Sequence, residues 1–213
     1  MKLKRLMLIT LFSISLCGCS TPFGTFGTSF TVLDLKIQDD EISETMKQFV
    51  NENTFGYPDD TLFDVTPSKI KGSYRIYKYQ SSTASFLEYK DKIYLLGEYF
   101  GGHGVTQLAE YKHWQTSLLY YIYSFGSGIH RTQIGVFDFK ELKCKSVSCE
   151  LKEDVMSKDL VFGGSDKIFG GISINLYTTD YEWTEYQLTF NFKYGEKVFE
   201  GIENCVLVDL KSN

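Results

Sequence analysis

The chain has three histidines, and two of them sit in glycine-rich settings: His103 in Gly101-Gly102-His103-Gly104, and His130 in Gly126-Ser127-Gly128-Ile129-His130-Arg131. Imidazoles beside a hydroxyl and a guanidinium can bind a polar ligand, or hold a metal if a carboxylate reaches them from elsewhere. Val105–Tyr111 reads as a strand leaving the first glycine loop, and Ser117–Phe125 as one returning to the second. Alternating strand direction then places both loops at one end of a sheet. His103, Ser127, His130 and Arg131 are therefore the candidate ligand-binding set, and Asp138 lies too far along its strand to join them. The plainer reading is that the glycines serve turns and bulges while His and Arg satisfy loop carbonyls. The sequence favours it, because no nucleophile elbow, HExxH, P-loop or CxxC pattern occurs. No catalytic residue, metal site or cofactor is assigned.

Other reactive or ligating residues are few. Cys144 and Cys149 enclose Lys145-Ser146-Val147-Ser148, a spacing that could close a hairpin loop with a disulfide, at a stabilisation of about 2 kcal/mol. Cys205 could instead pair with either across the sheet, or all three could stay reduced; neither Cys144 nor Cys149 has a second ligand at the spacing of a metal site. Asp59, Asp60 and Asp64 around Pro58 suit turn chemistry, with calcium binding the lesser alternative. Trp114 and Trp183 fall in expected loops beside Tyr111 and Tyr181, where aromatics serve packing or recognition.

These residues need elements to position them, and the pattern is mainly β. Phe and Tyr number 17 and 15, Pro only 3, which favours strands and a packed domain. Strands are expected at Ser29–Ile37, Tyr74–Gln80, Ala84–Tyr89, Lys92–Tyr99, Val105–Tyr111, Ser117–Phe125, His130–Phe139, Lys145–Leu151, Ile168–Tyr177, Glu185–Tyr194, Lys197–Glu200 and Cys205–Leu210. Lys90-Asp91 and Gly195-Glu196 read as tight turns. Leu118-Leu119-Tyr120-Tyr121-Ile122-Tyr123 shows no polar alternation, so this strand should be central and covered on both faces. Asp39-Asp40-Glu41 opens an amphipathic helix near 40–52, with Ile42, Met46, Phe49 and Val50 on one stripe and Asn51–Asn53 ending it. Short sequential connections imply an antiparallel meander, as a sandwich or a partial-propeller-like sheet, with this one N-terminal helix. Charges scattered through the strands argue against a transmembrane barrel.

The first twenty residues have a different character. Lys2, Lys4 and Arg5 precede an apolar stretch, Leu6–Leu16, of 11 residues. At ~1.5 Å per residue it covers roughly 16 Å of helix, too short for a hydrocarbon core of ~30 Å, so it reads as the apolar region of a signal peptide. It ends in Leu16-Cys17-Gly18-Cys19, which resembles the lipobox of bacterial lipoprotein precursors. The resemblance implies cleavage before Cys19 and acyl chains, palmitate among them, on that residue. Residues 1–18 are then the signal peptide, 19–28 the lipidated Cys and a small, polar tether, and 29–213 a single β-rich domain. Ser20 after the modified Cys favours the outer membrane, on its periplasmic or surface face, if the host is Gram-negative.

Cleavage would leave 19 basic against 27 acidic residues, a formal charge of −8. That balance argues against nucleic acid and against simple electrostatic docking on anionic headgroups. Tyr94–Phe139 also resembles one blade of the integrin-type FG-GAP repeat family, with a Phe-Gly turn after a strand pair. The place of that family's acidic calcium loop reads Glu110-Tyr111-Lys112-His113-Trp114-Gln115-Thr116, which lacks the Asp pattern, so no calcium is implied. The expectation is a lipid-anchored cell-envelope domain, held to the membrane through Cys19, that binds an envelope protein or glycan. The alternative is an envelope hydrolase or metal-dependent enzyme using His103 and His130.

Overall fold

The computed structural model describes residues 28–53, 57, 59–70, 73–81, 84–97, 104–114, 116–125, 131–146, 159–180, 183–194 and 207–209. Within them the chain forms three antiparallel sheets. The central sheet holds β1 (Thr28–Leu33), β6 (Gly104–His113), β7 (Thr116–Phe125), β8 (Arg131–Asp138) and β9 (Lys143–Ser146), in that spatial order. A helix-side sheet runs β2 (Leu62–Asp64), β3 (Arg75–Tyr79), β4 (Ser85–Tyr89), β5 (Lys92–Leu96). An outer sheet runs β10 (Asp159–Ile168), β11 (Gly171–Asp180), β12 (Trp183–Lys193), β13 (Leu207–Asp209). Each is a meander of sequential neighbours, except that β1 joins the central sheet at its edge, against β6.

The layers follow from where alternate side chains go. Along β7, Leu118, Tyr120 and Ile122 enter one apolar cluster with Ile172, Ile174 and Leu176 of the outer sheet. Leu119, Tyr121 and Tyr123 enter another with Ile76, Leu87 and Leu96 of the helix-side sheet. All six of these β7 side chains are buried, as expected of a strand covered on both faces. The far face of the helix-side sheet presents Tyr77, Tyr79 and Phe86 to Met46 of α1 (Glu44–Glu52), with Ile42, Phe49 and Val50 packed beside it. The architecture is thus outer sheet, central sheet, helix-side sheet and helix, a stack of layers rather than one continuous sheet.

The helix begins later than its acidic residues suggest. Ser43 is the N-cap, its hydroxyl accepting the Met46 N–H at 3.0 Å, which satisfies one of the free donors of the first turn. Asp39, Asp40 and Glu41 precede it. Lys90 and Asp91 have φ of 51° and 57°, the mirror-image turn that matches strand twist in a two-residue hairpin.

Several elements depart from the sequence expectation. β10 is absent from it, the glycines of Phe162-Gly163-Gly164 interrupting any strand pattern there. In the structure this is a bulge inside a strand, with Gly164 at φ +115°, a conformation side chains avoid. A Cβ on Gly163 would meet the Tyr177 ring at 1.9 Å. The true turn is Phe169-Gly170, so the strand expected at Ile168–Tyr177 starts instead at Gly171. β2 is also unanticipated, being three residues long, and Trp183 opens β12 instead of lying in a loop. Tyr94–Phe139 is divided between two sheets, and Glu110–His113 continues β6, so it does not make one propeller blade. The expected strand Lys197–Glu200 and turn Gly195-Glu196 lie outside the described residues.

Candidate functional site

Of the candidate ligand-binding set, His103, Ser127 and His130 lie outside the described residues. Their flanking strands are described. Gly104 pairs with Ser124, and Phe125 with Arg131, so the start of β6, the end of β7 and the start of β8 share one end of the central sheet. Asp138 sits at the other end, opposite Leu118, where its Oδ1 accepts the N–H groups of Lys140 (2.8 Å) and Glu141 (3.1 Å) as a turn residue.

The remaining candidates resolve as follows. Among the described residues Cys144 on β9 has no disulfide partner, its Sγ donating to the Leu95 carbonyl at 3.3 Å; Cys149 and Cys205 lie outside the described residues. Asp60 accepts the Ser81 N–H at 3.0 Å as turn chemistry. Asp64 is different: it is a buried strand residue, paired with Arg75 at 2.6 Å. Sequence spacing could not show this, since the partners belong to different strands. Among the described residues no group of three or more His, Cys, Asp or Glu is placed to hold a metal ion.

The structure instead presents a polar cleft of about 520 Å³ where the helix-side sheet meets the segment entering α1. Asp64 comes from β2, Arg75 from β3 and Glu88 from β4, with Asp40 and Glu41 closing one side and Tyr89, Lys90 and Asp91 the other. Arg75 Nη2 also donates to the Glu41 carbonyl at 2.6 Å, and its guanidinium lies 5.2 Å from the centre of the Tyr77 ring. Glu88 Oε2 accepts the Ser43 hydroxyl at 2.7 Å and the Tyr77 hydroxyl at 2.6 Å. Burial, then the hydrogen bond to Glu88, raises the Tyr77 pKa well above its ordinary value. Tyr74 of the cleft wall donates to Glu110 at 3.2 Å, and the exposed Lys112 closes on the other Glu110 oxygen at 2.7 Å.

Chemically this cleft is suited to recognition. Its acidic groups outnumber Arg75 and Lys90, and its tyrosine rings offer flat surfaces, a combination that fits a cationic or hydroxyl-rich ligand. Arg75 and Glu88 are each committed to protein partners. The Thr66 hydroxyl donates to Asp64 Oδ1 and accepts the Ile76 N–H at 2.9 Å, so it is held as a structural group. No His or Cys lines the cleft among the described residues.

These features define a class: a layered antiparallel β domain with an acidic, tyrosine-bearing cleft. No family model, curated protein or solved structure matches the chain.

Proposed function

We propose that this is a lipid-anchored cell-envelope protein whose domain acts by binding another envelope component, a protein or a glycan. The observation that carries the anchoring is a cationic segment with an 11-residue apolar stretch, ending in Leu16-Cys17-Gly18-Cys19, ahead of a β domain whose first described strand starts at Thr28. A leader that short does not span a bilayer as a helix, whereas acyl chains on Cys19 give stable attachment at ~0.8 kcal/mol per buried methylene. Binding is supported by the cleft, whose Arg75, Glu88 and Asp64 are fixed by hydrogen bonds and so present a preorganised surface.

Two measurements test this. Intact mass and palmitate labelling of the membrane fraction should show acylated Cys19 and a chain lacking residues 1–18. Cys19→Ala should abolish both; an unmodified, full-length chain refutes the anchor. Cross-linking in intact cells should then capture an envelope component that Glu41→Lys/Asp91→Lys loses, both residues being exposed. Equal capture by the variant would move the binding surface elsewhere.

A second reading draws on the shared sheet end of Gly104 and Arg131, which flank the two histidine loops. In it His103 and His130 serve a hydrolase or a metal-dependent enzyme. Unchanged zinc content and hydrolytic activity in His103→Ala/His130→Ala would eliminate it.

A further inference from the structure

One end of the domain gathers the most exposed aromatic side chains among the described residues, beside Thr28 at the start of β1. Thr28 pairs with His113 across the β1–β6 ladder, and its hydroxyl hydrogen-bonds to His113 Nδ1. The His113 ring centre lies 6.3 Å from that of Trp114, and 6.4 Å from that of Tyr194, nearly parallel to it at 8°. The Tyr194 N–H in turn donates to Gly170 O at 3.0 Å, in the β10–β11 turn that carries Phe169. Ser165 Oγ donates to Phe30 O at 2.9 Å, which holds β10 along β1 with that turn on the Thr28 side.

Trp114 is 83 % exposed and Phe169 fully so, more than any other large apolar side chain among the described residues, and Ile168 precedes Phe169 at 38 %. Water is a costly place for such groups. Trp114 also occupies a turn position with φ 53°, a region that bulky side chains seldom enter and that Gly or Asn fills readily. The turn itself has no need of an indole there.

We propose that this end of the domain docks on the lipid–water interface, with Trp114 and Phe169 as its wedges, so that the anchored domain sits on the membrane in one orientation. Nine residue steps separate Cys19 from Thr28, a reach of at most roughly 30 Å when fully extended. An acylated Cys19 therefore keeps Thr28, and the aromatic patch beside it, within that distance of the bilayer. Trp and Tyr are favoured at membrane interfaces, where an apolar ring and a polar edge are both accommodated. The chain is acidic overall, and at this end Lys112, Lys167 and Lys193 accompany Glu110, Asp138, Glu141 and Asp166, so docking rests on the aromatic rings and not on net charge. The direction of the tether rests on the lipid-anchor reading, and the test separates the two.

The full chain is purified from membranes with Trp183→Phe, which leaves Trp114 as its sole indole, and reconstituted into phosphatidylethanolamine/phosphatidylglycerol vesicles containing brominated acyl chains. The unsubstituted chain serves as the fold control by near-ultraviolet circular dichroism. Side chains seated ~5–10 Å into the interface should lose about half of their emission to the bromines, with a blue shift. Phe169→Ala should weaken that quenching. The mass of the Cys19 peptide is read from the same sample. Acylated Cys19 with unquenched, iodide-accessible Trp114 overturns the docking proposal and leaves the anchor standing; so does a self-associated or protein-covered patch, seen as cross-linked dimers or partners with no quenching. Quenching without acylation supports the docking surface and refutes the anchor. Neither signal refutes both.

Discussion

Arg75 donates from Nε at 2.9 Å and from Nη2 at 2.6 Å to a single oxygen of Asp64, while the other Asp64 oxygen takes the Thr66 N–H at 2.8 Å. The carboxylate is buried and the guanidinium partly so. Removing one partner of such a pair leaves a buried charge without compensation. Asp64→Ala should therefore cost about 3–5 kcal/mol in urea unfolding, whereas Asp64→Leu/Arg75→Met should recover most of the loss. Additive effects of the two single changes would show that the pair is not coupled.

Val105 offers a second test. The register of β6 against β7 shifts between Val105 and Gln107. Side chains of the helix-side sheet take over there: the Val105 N–H donates to Ser85 Oγ at 3.0 Å, and the Val105 carbonyl accepts Lys78 Nζ at 2.8 Å. Ser85→Ala strands a buried donor, so a destabilisation of about 1–3 kcal/mol is expected. Loss of protection at the Val105 amide in hydrogen exchange would accompany it. An unchanged amide would mean that the stitch between the two sheets is unimportant.

Alkaline pH should unfold the domain through its buried tyrosines. Tyr74, Tyr77 and Tyr121 are all raised well above the ordinary phenol value, chiefly by burial. The next contributions are the Glu110 charge on Tyr74, the hydrogen bond to Glu88 on Tyr77, and Cys144 on Tyr121. The folded state holds these protons more tightly than the unfolded chain. Their contribution is thus intact below the unfolded pKa of about 10 and is lost as pH rises above it, at up to about 1.4 kcal/mol per pH unit for each. The chain has 15 tyrosines, so only the last part of the tyrosinate absorbance should rise together with the loss of the β signal. A complete rise before unfolding would show these three hydroxyls to be accessible.

Cys144 should react slowly. Burial of its sulfur raises the thiol above its usual pKa, and the hydrogen bond with Tyr121 offsets part of that. Alkylation near pH 8 without reductant should proceed more slowly than for an unhindered cysteine, and speed up on unfolding. An adduct that forms only after reduction would instead mark a disulfide to Cys149 or Cys205.

The sequence by itself determined what is local or follows from a simple period. Six consecutive large residues from Leu118 required a strand with two covered faces, and Tyr120 and Tyr121 duly belong to different cores although they are neighbours. The Lys90-Asp91 hairpin and the stripe of Met46, Phe49 and Val50 were legible for the same reason, as was the mainly β, antiparallel character. The likeness of residues 1–19 to an export leader with a lipobox, on which the anchor proposal rests, is read from sequence alone. Only the tertiary structure decided what depends on distant segments meeting. A Gly163-Gly164 pair looks the same in a turn as in a bulge until Tyr177 covers it from the next strand. Asp64 looks like a turn residue until Arg75 arrives from β3. Trp114 and Phe169 lie 55 positions apart, and neither signals the other. They share one end because β1 pairs with β6 and β10 lies along β1, and side-chain packing between layers leaves no periodic trace in the chain.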